Sequence, residues 1–364
     1  MVEQGRRILA IDALRGFDMF WLIVVDAFFH ALEKAWPNGF SQTMSTQLHH
    51  VDVGLHLYDL LFPTFVFLAG CSWPFSLASQ QERGCGRGQI TLRIFKRFVL
   101  LFFLGAVLFG FMSFDFNHVR FNSIFGRIGF GWAVAALATL YLPRRWWIVG
   151  VTVFAVYWLA MQFGPGLLNP GADPWTWNPD NMIAVFDRWI GKPPPDRHGG
   201  EGFFTAIGCI PTAFLGVWAG KILKRTDVGS GRKMLELAGV TVILAVLGAL
   251  AALTCPCMKP MWNPTFILVA GAFSTGFLAL FHWLIDVRGF VAWSFPFRVI
   301  GMNAMIIFFL NAYVPFKDMA HQFLCGVESW LPAVWTAPVD CAGRVLLSWL
   351  LLYFLYRKKT FLKV

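Results

Sequence analysis

The chain has 364 residues, of which 57% are hydrophobic and only 14% are charged, and it contains 39 Phe and 17 Trp. A soluble domain usually carries about 25% charged residues, so this composition excludes a disordered chain, a secreted disulfide scaffold and an ordinary cytosolic protein. The formal net charge of +10 would suggest a nucleic-acid ligand in a soluble chain. In a membrane protein, an excess of cations is explained by Lys and Arg residues that collect in the loops on one side of the membrane. We therefore expect no nucleic-acid partner.

Ten apolar segments recur along the chain, each near the length of about 20 residues that a helix needs to cross a bilayer. They lie near residues 8–32, 54–80, 92–113, 122–142, 145–163, 202–223, 234–254, 263–286, 296–315 and 342–357. No separate soluble domain fits between them. The sequence therefore predicts an all-α, polytopic bundle of about ten transmembrane helices, which forms one integral-membrane domain over residues 1–364.

The cations indicate the orientation of this bundle. When alternate segment ends are assigned to one side, most Lys and Arg residues fall on the side of the N-terminus, among them Arg6, Arg7, Arg87, Arg93, Lys96, Arg97, Lys221, Lys224, Arg225 and Lys358. The positive-inside rule then places both termini in the cytoplasm, and we expect a bacterial inner membrane. The first segment contains Asp12 and Arg15 and is followed by no small-residue cleavage site, so a retained helix is expected here and not a signal peptide.

The opening segment carries ionisable residues, which are costly inside a membrane and are usually paired or functional there. Asp12 and Arg15 are i, i+3 neighbours that either neutralise each other or serve a site. Asp26 lies deeper, toward the outer side, and is harder to explain by simple pairing.

The densest titratable cluster is the stretch QLHHVDVGLHLYDLLFP at residues 47–63, which contains His49, His50, Asp52, His56 and Asp59 at the outer entrance of the second segment. A neutral histidine can take a proton from an attacking amine or alcohol, and a nearby carboxylate can orient it. His and Asp are also good zinc ligands. Proton transfer, metal binding and a structural hydrogen-bonded cluster are therefore three alternatives for this stretch.

Two further features lie later in the chain. Asn303 and Asn311 fall in the apolar ninth segment, where an amide either hydrogen-bonds across helices or lines a substrate path. Four cysteines, Cys255, Cys257, Cys325 and Cys341, are predicted on the outer side, where they either pair as disulfides or remain thiols. Cys325 with Cys341 is the easier pair, because both lie in or at the end of one loop.

The pattern IDALRGFDMFWLIVVD, followed by HHVDVGLHLYDLLFPTFVFLAGCSWPFSL, resembles the opening of the transmembrane acyltransferases typified by heparan-α-glucosaminide N-acetyltransferase. Further similar motifs follow in order: FNSIFGRIGF around Arg127, EGFFTAIGCIPTAFLGVWAGKIL from Glu201, KPMWNPTFILVAGAF from Lys259 and VIGMNAMIIFF from Val299. The resemblance covers nearly the whole chain.

This resemblance implies transfer of an acetyl group from cytosolic acetyl-CoA to the amino group of a terminal glucosamine on the far side of the membrane. It implies a histidine just before the D-L-x-F-P helix, which is His49 if the motifs align without a gap and His50 if one residue is deleted. We expect catalytic roles for His49, His50, Asp52 and Asp59. Substrate-binding roles are expected for Asp26, Asn303, Glu201 and Trp262, and cofactor-binding roles for Asp12, Arg15 and Arg127.

Acetyl-CoA is then the co-substrate, no metal is expected, and a homodimer in the lipid membrane is compatible with the resemblance. The histidine either acts as general base in a ternary complex or carries the acetyl group itself. Two other functions stay open. A secondary transporter of amino sugars would use the intramembrane Asp and Asn residues, although we find no convincing internal repeat. An O-acyltransferase of cell-surface glycans would keep the chemistry and change the acceptor.

Overall fold

The computed structural model describes residues 8–108, 122–176, 178–190 and 202–361. All regular secondary structure in these ranges is helical, so the predicted all-α class is confirmed. Glu201, predicted to bind substrate, lies outside the described residues.

Fifteen α-helices are described. They are α1 (Leu9–Phe20), α2 (Asp26–Ala35), α3 (Gly39–Gln47), α4 (Leu57–Glu82), α5 (Arg87–Leu108), α6 (Ile124–Tyr141), α7 (Trp146–Leu168), α8 (Met182–Trp189), α9 (Thr205–Lys224), α10 (Ser230–Ala251), α11 (Pro264–His282), α12 (Phe295–Met302), α13 (Ala304–Tyr313), α14 (Phe316–Glu328) and α15 (Thr336–Arg357). A π-helical turn, Trp21–Val25, joins α1 to α2, and another, Trp283–Val287, extends α11.

Seven helices in the described ranges are long and apolar enough to cross a membrane. An eighth span is counted if the pair Ala292–Met302 and Ala304–Tyr313, bent by 63° at Asn303, crosses as one. The protein is therefore an integral, multi-pass membrane protein. About ten spans are predicted from the sequence, and the described residues support seven or eight of them. Each predicted segment overlaps a described helix, but two are less suited to lipid: the π turn divides the first one, and α5 contains four cations, Arg87, Arg93, Lys96 and Arg97.

The helices group into two compact units. Of the described residues, the first unit takes in 8–50, 56–61 and 280–361, and the second takes in 51–55 and the described part of 62–279.

In the first unit, α1 packs against α12 through two glycines. A Cβ atom at Gly16 would collide with the carbonyl oxygen of Phe297, and one at Gly301 would collide with that of Asp12. The two backbones are therefore in direct contact. The ring of Phe17 lies edge-on to that of Phe297 beside this crossing, with centroids 5.4 Å apart. Small residues commonly permit this close approach between membrane helices.

Also in the first unit, α15 packs against both α14 and α2. Gly343 lies against Ala320 of α14, and the thiol of Cys341 lies 3.6 Å from the carbonyl oxygen of Ala27. Cys325 is exposed and Cys341 is buried, and both are thiols, so the disulfide suggested between them is not formed.

In the second unit, α9 is the central helix. A Cβ atom at Gly216 would collide with the carbonyl oxygen of Phe67 in α4, and one at Gly131 of α6 would lie 2.9 Å from the carbonyl oxygen of Cys209. The indole of Trp73 donates a 2.7 Å hydrogen bond to the hydroxyl of Thr139, which links α4 to α6. Glycine contacts and buried polar pairs of this kind hold helices together where lipid supplies no hydrophobic driving force.

We expect Gly16→Ala to destabilise the protein by about 1–3 kcal/mol, because even one methyl group collides with a backbone carbonyl that cannot move without separating α1 from α12. Thermal unfolding of the detergent-purified protein measures the effect. Gly239→Ala is the matched control, since no atom lies near that position in α10, and there alanine should be neutral or slightly stabilising. Equal melting temperatures for both variants would contradict the packing described.

Candidate functional site

The site is built around the first turn of α4 in the first unit. Asp59 lies in that turn and is fully buried, where the partial positive charge of the helix N-terminus favours a carboxylate. Its Oδ2 atom accepts a 3.3 Å hydrogen bond from the backbone N–H of His56. Its Oδ1 atom lies 2.7 Å from Nδ1 of His50.

The contact with Asp59 fixes the tautomer of His50. An ionised carboxylate only accepts hydrogen bonds, so Nδ1 of His50 carries the proton and Nε2 carries the lone pair. The imidazole is 59% exposed, whereas the carboxylate is inaccessible. His50 is therefore an accessible base whose orientation is set by a buried anion.

A second histidine pair adjoins the first through Tyr58. His30 on α2 places Nε2 2.7 Å from Oδ1 of Asp26, one helical turn earlier, and Nδ1 2.7 Å from the hydroxyl of Ser45 on α3. The side chain of Tyr58 hydrogen-bonds Asp26, and its ring centroid lies 4.8 Å from that of His50. Sequence reasoning missed His30 and Ser45, although the spacing Asp26-x₃-His30 was a usable signal on a helix.

His49 has a different environment from His50. Its ring centroid lies 4.2 Å from that of His30, and its carbonyl oxygen accepts a 2.8 Å hydrogen bond from Nδ1 of His56. Of the two histidines proposed from sequence, His50 therefore has the carboxylate partner, and His49 packs beside the second pair. We call His30, His49, His50 and His56, with Asp26 and Asp59, the histidine cluster.

The π turn Trp21–Val25 lies directly before Asp26. Such turns add a residue to the helix and are frequent at functional sites. Because of the added residue, the side chains of Asp26 and His30 are rotated about the helix axis relative to the positions that an uninterrupted α-helix would give them.

The remaining predicted residues of the first unit lie away from the histidine cluster. Arg15 donates to Asp12 over 3.3 Å, so the i, i+3 pair is formed. Asp12 precedes Asp26 by 14 positions in nearly continuous helix, a distance of about 20 Å at ~1.5 Å per residue. Buried Asn303 donates to the carbonyl oxygen of Thr360 over 3.2 Å and follows Gly301, which contacts Asp12. Asn303 therefore lies toward the Asp12 end of α1.

Asp52 is exposed and belongs to the second unit. In its short loop the backbone N–H of Gly54, at φ 111°, donates to the carbonyl oxygen of Cys257 over 2.8 Å. That φ value favours glycine.

Arg127 and Trp262 of the second unit both contact the ring of Phe62. The guanidinium of Arg127 lies 5.5 Å from the ring centroid, and the fully buried indole of Trp262 lies edge-on to it at 5.0 Å. Trp262 has a positive φ of 48°, which is uncommon for a bulky residue. A hydrogen bond holds the backbone beside Trp262 in place: the hydroxyl of Tyr157 donates to the carbonyl oxygen of Met261 over 3.0 Å.

The second unit also contains a cavity of about 490 Å³ at the ends of α4, α5, α6 and α9. Four cations line it: Arg87, Lys221, Lys224 and Arg225. Sequence reasoning assigned these cations to the cytoplasmic side and to no site, although the run KILKR at the end of α9 repeats charge at helical spacing.

Two of the four cations are already engaged. Arg225 donates to both oxygens of Glu236 and pairs with Asp227, and its hydrogen bonds hold the pKa of Asp227 below the ordinary value. The ammonium of Lys221 lies 4.4 Å above the ring of Trp146. Within the described ranges, Arg87 and Lys224 form no ion pair. The cavity therefore has cationic side chains to offer an anion.

No protein-family model matches the chain. It aligns with the heparan-alpha-glucosaminide N-acetyltransferase of Mus musculus at 23% identity over 434 aligned positions, which cover 100% of this chain and 61% of the mouse protein. The Homo sapiens enzyme of the same name aligns at 22% identity, covering 98% of this chain and 60% of the human protein. The chain is a distant homologue of these enzymes. The resemblance predicted from the motifs is confirmed, while the chain spans only about 60% of the length of the curated relatives it matches.

Proposed function

We propose that the chain is a transmembrane acetyltransferase that moves an acetyl group from cytosolic acetyl-CoA to the amino group of a glucosamine-type sugar on the opposite side of the membrane. The observation that carries this proposal is the His50–Asp59 pair, found in a chain that is homologous along its whole length to enzymes named for N-acetyl transfer to a glucosaminide. A base with a fixed tautomer is what an amine acceptor requires.

The proposed orientation follows the cations. Ten spans, with both termini in the cytoplasm of a bacterial inner membrane, agree with the positive-inside rule. From the sequence, Arg87, Lys221, Lys224 and Arg225 are proposed to lie on the cytoplasmic side, and residues 47–63 at the outer entrance of the second segment. Residues 1–364 are then one catalytic domain, with a homodimer as its possible assembly.

In the proposed reaction, the neutral amine attacks the thioester carbonyl of acetyl-CoA, an amide bond forms, the C–S bond breaks and CoA leaves as the thiol. Nε2 of His50 accepts the proton that the amine loses and returns it to the departing sulfur. Alternatively, Nε2 takes the acetyl group first and passes it to the amine. In both routes Asp59 orients the ring and stabilises the imidazolium.

The acceptor is proposed to bind at the second histidine pair. The Asp26 carboxylate, supported by His30 and Tyr58, is a partner for an ammonium or hydroxyl group of the sugar. His49 and Asp52 are proposed as neighbouring catalytic residues, and Trp262, Asn303 and Glu201 as further substrate-binding residues.

The donor is proposed to place its phosphates in the basic cavity. Coenzyme A carries a diphosphate and a 3′-phosphate, and Arg87, Lys221 and Lys224 are the lining cations that complement these anions. Asp12, Arg15 and Arg127 remain proposed cofactor-binding residues.

The first test is the stability of the detergent-purified chain with acetyl-CoA, CoA or glucosamine. A ligand that binds only the folded state raises its melting temperature, so acetyl-CoA should stabilise saturably and labelled acetyl should then appear on glucosamine. Lys224→Glu should weaken acetyl-CoA binding by about 10- to 100-fold, as expected for replacing a charge-assisted contact by repulsion.

Lys317→Glu, at an exposed position of α14, is the matched charge-reversal control. This variant should bind acetyl-CoA normally. Stabilisation by free amino sugar without any effect of acetyl-CoA would contradict the proposal and favour a transporter. Transfer to a hydroxyl in place of the amine would identify an O-acyltransferase.

A further inference from the structure

Three residues outside the histidine cluster converge where α14 meets α15. His321 lies on α14, Glu328 is its last residue, and Asp340 lies near the start of α15. One side-chain atom from each lies within 4.8 Å of the others. Nδ1 of His321 is 2.9 Å from Oε2 of Glu328 and 3.2 Å from Oδ1 of Asp340.

His321 is the one cationic partner of this group among the described residues. The side chains of Glu328 and Asp340 are only 6% and 9% exposed, and in the described ranges neither forms an ion pair with Lys or Arg. Oε1 of Glu328 is buried without a hydrogen-bond partner. Two ionised, buried carboxylates beside one imidazolium remain net negative, which is costly in a poorly solvated place. Either a proton shared in the Glu328–Asp340 hydrogen bond or a bound cation removes this cost, and only the cation also gives the unpartnered Oε1 atom a ligand to bind.

We propose that His321, Glu328 and Asp340 bind one Zn²⁺ ion. One imidazole with two carboxylates is a donor set that zinc accepts, and three protein ligands leave one position for water. With bonds of about 2.0–2.2 Å, tetrahedral ligand atoms lie roughly 3.3–3.6 Å apart. The separations of 2.9 and 3.2 Å are therefore a few tenths of an ångström from those of a coordinated ion.

The ion would fasten α14 to the start of α15. Cys341, the residue after Asp340, contacts the carbonyl oxygen of Ala27, and Ala27 follows Asp26 of the proposed acceptor pair. Zinc at this position would stabilise the packing of α14 and α15, and α15 contacts α2. The ion would take no part in acetyl transfer. No metal is expected from the sequence, and sequence reasoning did not single out these three residues, whose spacing matches no familiar zinc motif.

The test is zinc binding by the full chain in detergent, without a polyhistidine tag. We expect about one tightly bound zinc per chain by elemental analysis, lost with EDTA. Addition of ZnCl₂ to the stripped protein should raise the melting temperature saturably, by mass action. Glu328→Gln and Asp340→Asn keep the side-chain shape, and each should weaken zinc binding by more than the ~10- to 100-fold typical of losing an outer-sphere partner.

Asp318→Asn, an exposed carboxylate on the same helix α14, is the control and should bind zinc like the wild type. If the stripped wild type gains no stability from ZnCl₂ and purifies without zinc, the three residues form only an ion-pair cluster. Zinc that is retained by Glu328→Gln and lost with His50→Ala lies in the histidine cluster, and this result also overturns the proposal.

Discussion

Replacing His50 with alanine should lower the rate of acetyl transfer to glucosamine by about 10²–10⁴-fold, the usual contribution of a positioned general base. The His50 side chain is the member of the His50–Asp59 pair that a substrate can reach, since it is 59% exposed whereas Asp59 is fully buried. The rate is measured with labelled acetyl-CoA in proteoliposomes, and the melting temperature of the variant shows whether it is folded.

His49→Ala is the discriminating variant. The His49 side chain contacts the His30 ring, whereas its hydrogen bond with His56 is made by the backbone carbonyl oxygen and survives the substitution. The variant should therefore disturb the acceptor side and reduce the rate less. A larger effect at His49 than at His50 would assign catalysis to the other histidine and refute the site as proposed.

Asp59→Asn should lower the transfer rate by ~10²-fold or more while leaving the protein folded, because it removes the control of the histidine tautomer. The asparagine oxygen can still accept from the backbone N–H of His56, so the start of α4 is kept. Its NH₂ group, however, donates to Nδ1 of His50, which then holds the lone pair and leaves the proton on Nε2.

The rate of Asp59→Asn is compared with that of Asp318→Asn, the same substitution at an exposed carboxylate on α14. Asp318→Asn should retain most of the activity, because it lies outside the proposed site. Unchanged transfer in Asp59→Asn would show that the carboxylate is only a helix cap.

Sequence reasoning found the histidine-rich stretch but not its pairing. His50 and Asp59 are nine positions apart, and His50 precedes α4, so no helical period brings them together. Their contact depends on the loop between α3 and α4, whose path is set by tertiary hydrogen bonds such as that from Leu57 N–H to the Gln47 side chain. Local patterns do not encode such bonds.

Hydropathy predicted the seven helices that are long and apolar enough to cross a membrane, but not the interruptions of the other segments. The bend of 63° at Asn303 follows from a break between α12 and α13, for which Gly301 and Asn303 were the only signals. The basic cavity was missed for a different reason. Its lining comes from four helices that are distant in sequence, so charge counting assigned the side of the membrane without assembling the site.

The contact between α1 and α12 has a consequence for biosynthesis. α1 ends at Phe20 and its partner α12 begins at Phe295, so the two helices are synthesised roughly 275 residues apart. At ~5–20 residues per second, that interval lasts roughly 14–55 s. During this time Asp12 and Asp18, which are buried in the folded protein, lack the contact with α12. We therefore expect α1 to reach its final packing only after α12 has been synthesised.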